Sequence, residues 1–447
     1  MPYSENHVVR RRLEAFHDDQ VVVDLKDEGL LRRMLDALNI RVVETERSEE
    51  LGLTLLTLVA FEDAMEGLAP EQIPDERTKP GDPALAHTLH EELTPLDILL
   101  HHLRDLTAAD HQGWKLRIAK NRVYENIEGS PYSGGAIGEP RPVEPFELPP
   151  RRNVLKPRIR VGIIDTPLYP HEGLAGRYVV AAEGLLRDRT SPRVSYGGHC
   201  LLACSIAAQL APDAEFIIRP VLDEYTLTTT SWELAKSIIQ SRNDNVDILL
   251  LALGGTTADG IEPLVLARAC ERTPDMIKVA ALGNSRRPED LPAGAGTPHE
   301  DERKHPALEP TLPMWPAASP TVIAVGADHD YGQVAFFSPT LDQAPWTDCY
   351  APGVGRRGLF LPDKVNLVQM DYEKGAVVER GQSASFGTPG FAEWDGTSFA
   401  AAHVAGYLAR KAQGLRTTAP VAADQLLRGV YASELRDHGI RVVRQLP

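Results

Sequence analysis

The sequence predicts an α/β protein in which a mostly parallel central sheet, flanked by helices, is preceded by a smaller α+β domain. Residues 159–164 and 277–282 are short, continuous apolar runs, which are typical of parallel strands buried on both faces. Between them, residues 200–210 are small and apolar and are long enough for a buried helix. A segment dense in Pro and Gly, residues 129–157, separates these elements from the N-terminal part of the chain.

The N-terminal part has the pattern of a split βαβ unit. We expect strands at 20–25, 40–45, 51–61 and 115–118, and helices at 30–38 and 95–106. Thr94 is the expected N-cap of the second helix, because Pro95 suits the first helical position. The order strand, helix, strand, strand, helix, strand defines this arrangement, although a charged, Pro-rich stretch at 68–83 interrupts it.

These patterns divide the chain into three parts. We predict an N-terminal α+β accessory domain over residues 1–128, an extended linker over 129–157 and a larger domain over 158–447.

Composition narrows the range of partners and locations. The chain has 447 residues, of which 43% are hydrophobic and 25% charged, which suits about two to three soluble domains. Its net charge of −16 argues against nucleic acid as a ligand, since phosphate binding relies on clustered Lys and Arg. We find no transmembrane stretch and no signal peptide, and four cysteines fit a reducing compartment. We therefore expect a cytoplasmic protein without membrane or nucleic-acid partners.

Three residues have the chemistry of a nucleophile and its base. A serine hydroxyl needs a histidine to take its proton, and that histidine needs a carboxylate to fix its tautomer. Asp165 ends the first apolar run, and His199 opens the predicted helix that follows it. Ser398 lies at the start of a second small-apolar run, so we place it at a helix N-terminus, where backbone N–H groups favour developing negative charge.

Asn284 supplies a candidate donor for that charge. It follows the apolar run 277–282 within the segment Ala281-Leu282-Gly283-Asn284, so its side-chain amide could face the same sheet edge as Asp165.

The motifs that carry these residues resemble those of the subtilisin-like serine proteases, the subtilase family. The order Asp, His, Ser is that of the family, whereas chymotrypsin-like enzymes and α/β-hydrolases use other orders. Ala400 also stands where the hydrolase motif G-x-S-x-G requires glycine. Further segments are similar to the family in the correct order: 251–255 to the edge strand that pairs with substrate, and 315–327, 335–338 and 350–353 to later core segments. The resemblance covers residues 158–447.

This resemblance implies a serine endopeptidase that acts on a protein or peptide substrate. It assigns Ser398 as nucleophile, His199 as base, Asp165 as its orienting acid and Asn284 as the oxyanion donor. It also implies that substrate is bound by Leu253, Gly254, Gly255, Ala281 and Gly283. No cofactor is required. Calcium often stabilises the family's fold, but no Asp-rich ligand loop supports a metal site here.

Several residues depart from the family pattern and indicate an altered substrate cleft. They are Pro167 and Gly198 beside the acid and base, Leu201 and Leu202 beyond the base, Ala252 and Leu282 near the substrate, and Ala402 after the nucleophile. These departures motivate two alternatives: a proteolytically silent protein that binds peptides on the same fold, and an esterase or transpeptidase with the same triad.

Three features have more than one interpretation. Residues 1–128 resemble a subtilase propeptide, which would inhibit the enzyme, but they also fit a docking domain that binds a protein partner. The irregular insertion 285–313 fits a lid, an exosite or a surface loop. Cys200 and Cys204 fit either small core residues or thiols whose modification affects the neighbouring base.

Overall fold

The computed structural model describes residues 7–10, 14–59, 65, 93–125, 136–152, 158–180, 186, 193–223, 227–284, 312–329, 332–371, 376–415 and 417–444. The chain divides into two compact units. Unit 1 comprises residues 1–123, 230–239 and 257–272, and unit 2 comprises residues 124–229, 240–256 and 273–447.

The described strands and helices are numbered in chain order. The strands are β1 (Val8–Arg10), β2 (Ala15–Asp24), β3 (Arg41–Ser48), β4 (Leu53–Val59), β5 (Ile118–Glu125), β6 (Ala136–Pro142), β7 (Arg160–Asp165), β8 (Tyr178–Val180), β9 (Glu215–Pro220), β10 (Thr228–Thr230), β11 (Ile248–Leu251), β12 (Ile277–Ala281), β13 (Val322–Asp328), β14 (Cys349–Pro352), β15 (Arg356–Phe360), β16 (Lys364–Asp371), β17 (Ala376–Ser385), β18 (Gly390–Gly396) and β19 (Arg441–Val442). The helices are α1 (Glu28–Ala37), α2 (Pro95–Asp110), α3 (His199–Leu210), α4 (Ser231–Asn243), α5 (Leu264–Glu271), α6 (Thr397–Leu415), α7 (Ala419–Leu427) and α8 (Ala432–Asp437).

Unit 1 contains the predicted split βαβ arrangement. Its strands pair in the order β5-β2-β4-β3, every pair is antiparallel, and the short β1 pairs with β2. Thr94 caps α2 as predicted: its hydroxyl accepts a bond from the Asp97 backbone at 3.2 Å, and its own N–H donates to the Asp97 carboxylate at 3.0 Å. The fold of the N-terminal region therefore follows its pattern of strands and helices.

The last strand of this unit was placed wrongly from the sequence. β5 begins at Ile118, where the predicted strand 115–118 ends. The polar run that starts at Lys120 concealed it, yet Lys120 is buried because its ammonium reaches Glu14 at 2.5 Å and Asp97 at 2.5 Å. Burial alone would raise the pKa of Glu14, but Arg122 and Lys120 outweigh it and hold that pKa well below its usual range. Paired charges thus replace apolar residues in this strand.

Unit 1 also includes two segments from beyond the predicted linker, residues 230–239 and 257–272. Asn121 accepts bonds from the Ser231 hydroxyl at 3.0 Å and the Trp232 N–H at 3.1 Å, and so satisfies the N-terminus of α4. On α5, Arg268 contacts the Asp24 carboxylate at 2.5 Å and donates to the Leu51 carbonyl at 3.2 Å. The N-terminal sheet is therefore bonded to α4 and α5 through buried polar groups.

Unit 2 is built on the predicted parallel sheet. Its eight strands run in the order β19-β14-β13-β12-β11-β7-β9-β8. All neighbouring pairs are parallel except β14 with β19. Every residue of β11 and β13 is buried, as expected for a parallel sheet covered on both faces. Ten residues of α3, His199 to Ala208, are buried on all sides of the helix, which makes it a core helix.

Two sequence predictions about unit 2 need correction. Residues 251–255 do not form an edge strand of this sheet, because β11 ends at Leu251 and lies between β7 and β12. The chain continues beyond the strand, and Gly255 exchanges backbone bonds with Trp315 at 2.8 and 2.9 Å. Within the predicted linker, residues 136–142 form β6, which pairs with β18 in a three-stranded sheet of order β15-β18-β6.

Parts of two predicted segments lie outside the described residues, namely 129–135 and 153–157 of the linker and 285–311 of the insertion. Across the helices that the structure describes, none combines the length and apolar character needed to cross a bilayer.

The Asp24–Arg268 pair gives a prediction about unit 1. Replacing Arg268 with Ala leaves the buried Asp24 carboxylate without its closest cation, so we expect the free energy of unfolding to fall by about 3 kcal/mol. Urea denaturation followed by circular dichroism measures this change.

The matched control is Arg117→Ala, because Arg117 is 55% exposed and lies 3.9 Å from the same carboxylate. Its loss should cost at most about 1 kcal/mol. Equal effects of the two variants would show that the Arg268 pair does not hold the unit together.

Candidate active site

Asp165 lies where β7 ends at the carboxyl edge of the central sheet. β7 is an interior strand between β9 and β11, and the Asp165 side chain is fully buried. Its Oδ1 accepts a bond from the Thr166 N–H at 2.6 Å. This bond and the sheet fix the direction of the carboxylate.

His199 is the first residue of α3 and meets this carboxylate. Its Nδ1 lies 2.8 Å from Asp165 Oδ2 and 3.0 Å from Oδ1, and its side chain is 1% exposed. A carboxylate at this distance accepts the proton on Nδ1, which leaves Nε2 as the nitrogen that can take a proton from another group. The pair therefore has the geometry of a base and its orienting acid.

Aromatic rings enclose the imidazole. The centroid of the Phe399 ring lies 5.3 Å from that of His199, and the Trp394 ring lies 6.1 Å away in an edge-on arrangement. Phe360 approaches the backbone beside His199 so closely that a Cβ at Gly198 would lie 2.3 Å from its Cε2. Position 198 therefore has room for glycine but not for a residue with a side chain.

A second departure has the same origin. A Cβ at Gly358 of β15 would lie 2.6 Å from Leu202 Cδ1, so the bulky Leu202 fits only because glycine faces it. β15 therefore packs directly on α3 where the sequence differs from the family.

Ser398 lies in the first turn of α6, directly after β18. It is fully buried, and its hydroxyl donates to the Ala252 carbonyl at 3.2 Å. The ring of the next residue, Phe399, is the one that contacts His199. The helix N-terminus, the Asp165–His199 pair and the segment after β11 thus meet in unit 2.

Asn284 is joined to the start of α6 by hydrogen bonds. Its Oδ1 accepts from the Thr397 N–H at 3.1 Å and from the Thr397 hydroxyl at 2.9 Å, and that hydroxyl accepts from Gly283 N–H at 3.2 Å. Because a backbone N–H can only donate, these bonds fix which end of the amide carries the oxygen. The NH₂ end then points away from Thr397 as a donor.

The five residues predicted to bind substrate fall into two kinds. Leu253 and Ala281 are buried apolar side chains, so substrate could meet only their backbones. The glycines are needed for backbone reasons: Gly283 has φ of +105°, and a Cβ at Gly255 would lie 2.6 Å from the Tyr124 ring. A Cβ at Gly254 would lie 3.0 Å from the Trp315 carbonyl.

Four contributors to the site were not predicted from the sequence: Thr397, the Ala252 carbonyl, Tyr124 and Trp394. Thr397 had a local signal, since it precedes Ser398 in the motif. The other three depend on contacts between distant parts of the chain.

Among the described histidines, His403 of α6 lies nearest to Ser398 in sequence. His403 Nε2 donates to the His438 carbonyl at 2.9 Å, and burial lowers the pKa of His403 to about 3. In the described part of the chain, the grouped ligands His7, Asp18 and Asp19 lie in unit 1 and are partly exposed, so we assign no metal to them.

Comparisons with known proteins support the fold. The model of the subtilase family matches residues 156–431. No curated protein matches the chain at a significant level. The chain is similar in structure to fervidolysin from Fervidobacterium pennivorans, a keratinolytic enzyme related to subtilisin, with 18% identity and a TM-score of 0.52. That match covers 94% of this chain and 58% of fervidolysin.

Two further solved structures match over a shorter part of the chain. The patellamide maturation protease PatA is 22% identical, with 60% of this chain and 85% of PatA covered and a TM-score of 0.41. The prenylagaramide maturation protease PagA is 20% identical, with 61% and 83% covered and a TM-score of 0.41.

The cysteines give a prediction about this site. All four are buried, and burial raises the pKa of Cys200 and of Cys204. Iodoacetamide at pH 8 should therefore leave them unmodified in the native protein and alkylate them in urea, as mass spectrometry would show. Alkylation of native Cys200 would instead mean that α3 opens beside His199.

Proposed function

The chain belongs to the subtilase family of serine proteases, and we propose that Ser398 is its nucleophile, His199 its general base and Asp165 the acid that orients the base. The observation that carries this proposal is the buried contact of 2.8 Å between His199 Nδ1 and Asp165 Oδ2. Substrates of the family are proteins or peptides.

The reaction would begin with attack by Ser398 Oγ on a peptide carbonyl while His199 Nε2 takes the hydroxyl proton. The tetrahedral intermediate collapses when His199 gives that proton to the leaving amine, which leaves an acyl-enzyme on Ser398. Water activated by His199 then hydrolyses the ester and restores the serine. Asp165 holds the imidazole in the required tautomer and stabilises it when it is charged.

We assign the oxyanion site to the Asn284 amide and the N–H of Ser398. The first turn of α6 presents backbone donors and the positive end of the helix dipole towards developing negative charge. Thr397 holds the oxygen of the Asn284 amide at 2.9 Å, so the amide needs little reorganisation when the intermediate forms.

We assign acyl-side binding to the backbone of Leu253, Gly254 and Gly255, with Ala281 and Gly283 beside the scissile bond. The Ala252 carbonyl, 3.2 Å from Ser398 Oγ, marks where the residue before the scissile bond would donate its N–H. Glycines allow a substrate backbone to approach closely.

A first prediction tests the nucleophile. Ser398→Ala should abolish labelling by a fluorophosphonate probe, because no hydroxyl remains to form the phosphonyl ester, while the circular dichroism spectrum stays unchanged. Ser383→Ala, which removes an exposed hydroxyl on β17, should label like the parent protein.

Labelling that persists in Ser398→Ala would show that the nucleophile is a different residue. A parent protein that is never labelled would support the peptide-binding alternative. Hydrolysis of esters without hydrolysis of amides would support the esterase alternative.

A second prediction tests Asn284. Asn284→Leu removes the amide donor, so kcat should fall by about 10²–10³ while KM changes little. Asn284→Asp keeps an oxygen that can accept the bond from Thr397 but loses the NH₂ group. A similar loss of kcat in this variant would show that Asn284 acts by donating a hydrogen bond and not by positioning Thr397. An effect confined to KM in both variants would mean that Asn284 only shapes the pocket.

A further inference from the structure

We propose that the chain's own strand β6 closes the leaving-group side of the active site, so that the protein favours bonds followed by a short leaving group. This inference rests on the proposed function of Ser398 and His199. It concerns only residues of unit 2.

β18 lies between two partner strands, β15 and β6. This strand runs into α6 at Gly396, two residues before Ser398. β15 pairs with one edge of β18 and β6 with the other. The pairing with β6 extends to the end of the strand, where Ala136 lies opposite Gly396 and Ile137 opposite Asp395. β6 therefore occupies the edge of β18 opposite β15 as far as Gly396.

The leaving group of a substrate would lie beside β18. Ser398 Oγ bonds to the Ala252 carbonyl, so the acyl part of a substrate extends along the segment after β11. His199 must protonate the leaving amine, and its ring lies against Trp394 of β18 at 6.1 Å. The residues that follow the scissile bond would thus emerge towards the C-terminal end of β18, the part that β6 already pairs with.

Side chains as well as the backbone attach β6 to β18. Arg141 donates to Glu393 at 3.0 Å and to Asp395 at 3.4 Å, which bracket Trp394 on β18. Beyond β6, Val143 N–H donates to the Phe391 carbonyl at 3.3 Å, and the Phe146 and Phe391 rings lie 5.2 Å apart. These contacts come from both the backbone and the side chains.

The attachment continues along the same segment. Arg357 donates to the Glu144 carbonyl at 3.0 Å and Arg177 to the Pro149 carbonyl at 2.8 Å. Arg152 then bonds to the buried Asp213 at 2.8 Å. Residues 136–152 are therefore held along their length rather than only at β6.

The consequence is a limit on substrates. A peptide that continues for several residues after the scissile bond must compete with β6 for β18, whereas a single aromatic amine or one terminal residue need not. A polypeptide would then be cut best close to its C-terminal end.

The test compares two substrates that share one acyl-side tetrapeptide. One carries p-nitroaniline as leaving group, and the other is a quenched fluorescent peptide extended by several residues. The intact chain should show a higher kcat/KM for the p-nitroanilide. In Arg141→Glu, the new carboxylate faces Glu393 and Asp395 of β18, and their repulsion should loosen β6. The ratio of kcat/KM for the extended substrate to that for the short substrate should then rise up to about fivefold, equivalent to about 1 kcal/mol.

Two further variants make the result specific. The charge swap Arg141→Glu with Glu393→Arg should return the ratio towards that of the parent, because it restores an opposite pair across the strands. Arg428→Glu, which disrupts an exposed pair with Asp424 on α7, should leave the ratio unchanged. Hydrogen exchange of residues 136–142 should be faster in Arg141→Glu only.

One result would overturn the proposal: hydrogen exchange of β6 is faster in Arg141→Glu, yet the kcat/KM ratio of the two substrates is the same in all four proteins. A loosened β6 would then not affect substrate choice. Turnover of neither substrate by any of the four proteins, despite fluorophosphonate labelling, would overturn it too. Absence of labelling in the parent would contradict the proposed function instead.

Discussion

The carboxyl edge of three neighbouring parallel strands is the constraint on which the rest of the site depends. In register, Ile164 of β7 lies beside Leu251 of β11, which lies beside Ala280 of β12. The residues that follow these positions leave the sheet on the same side, since parallel strands end at a common edge. Asp165 and the Ala252 carbonyl are 87 positions apart in the sequence, yet both lie at this carboxyl edge of the sheet. The start of α6 then adds Ser398 to this edge through the bonds of Thr397 to Asn284.

This geometry explains why much of the site could be predicted from sequence. Each of the four short motifs places its polar residue at the end of a strand or the start of a helix, and local apolar patterns are enough to locate such ends. β7, α3, β12 and α6 lie close to their predicted positions. What local patterns cannot supply is the contact between two elements.

The errors follow from such contacts. β5 is polar in sequence because Lys120 pairs with Glu14, which is 106 positions away. Residues 136–142 look like part of a linker because they lie within a longer segment rich in Pro and Gly, yet they pair with β18 some 250 positions later, as the Arg141–Glu393 separation of 252 shows. Leu251 begins a segment with the sequence pattern of a strand, but the sheet ends there, and the carbonyl of the next residue, Ala252, accepts a bond from the Ser398 hydroxyl.

Two of the departures from the family pattern, Gly198 and Leu202, share one structural cause. Gly198 and Leu202 lie on the turn and helix that carry His199, and both pack against β15 through Phe360 and Gly358. β15 belongs to the sheet that also holds β18 and β6. A Cβ at 198 would overlap Phe360, so this packing of β15 requires glycine at position 198.

The three-stranded sheet of β15, β18 and β6 therefore contacts the site at two places. On one side its aromatic residues Phe360 and Trp394 enclose the region of His199, and the two rings meet edge to face at 6.0 Å. On the other side β18 runs directly into α6, so the position of Ser398 depends on how this sheet is paired. The edge strand β6, which follows the N-terminal region in sequence, pairs with the last residues of β18 before Ser398. Ala136 lies opposite Gly396 and Ile137 opposite Asp395, so β6 meets the chain two residues before Ser398.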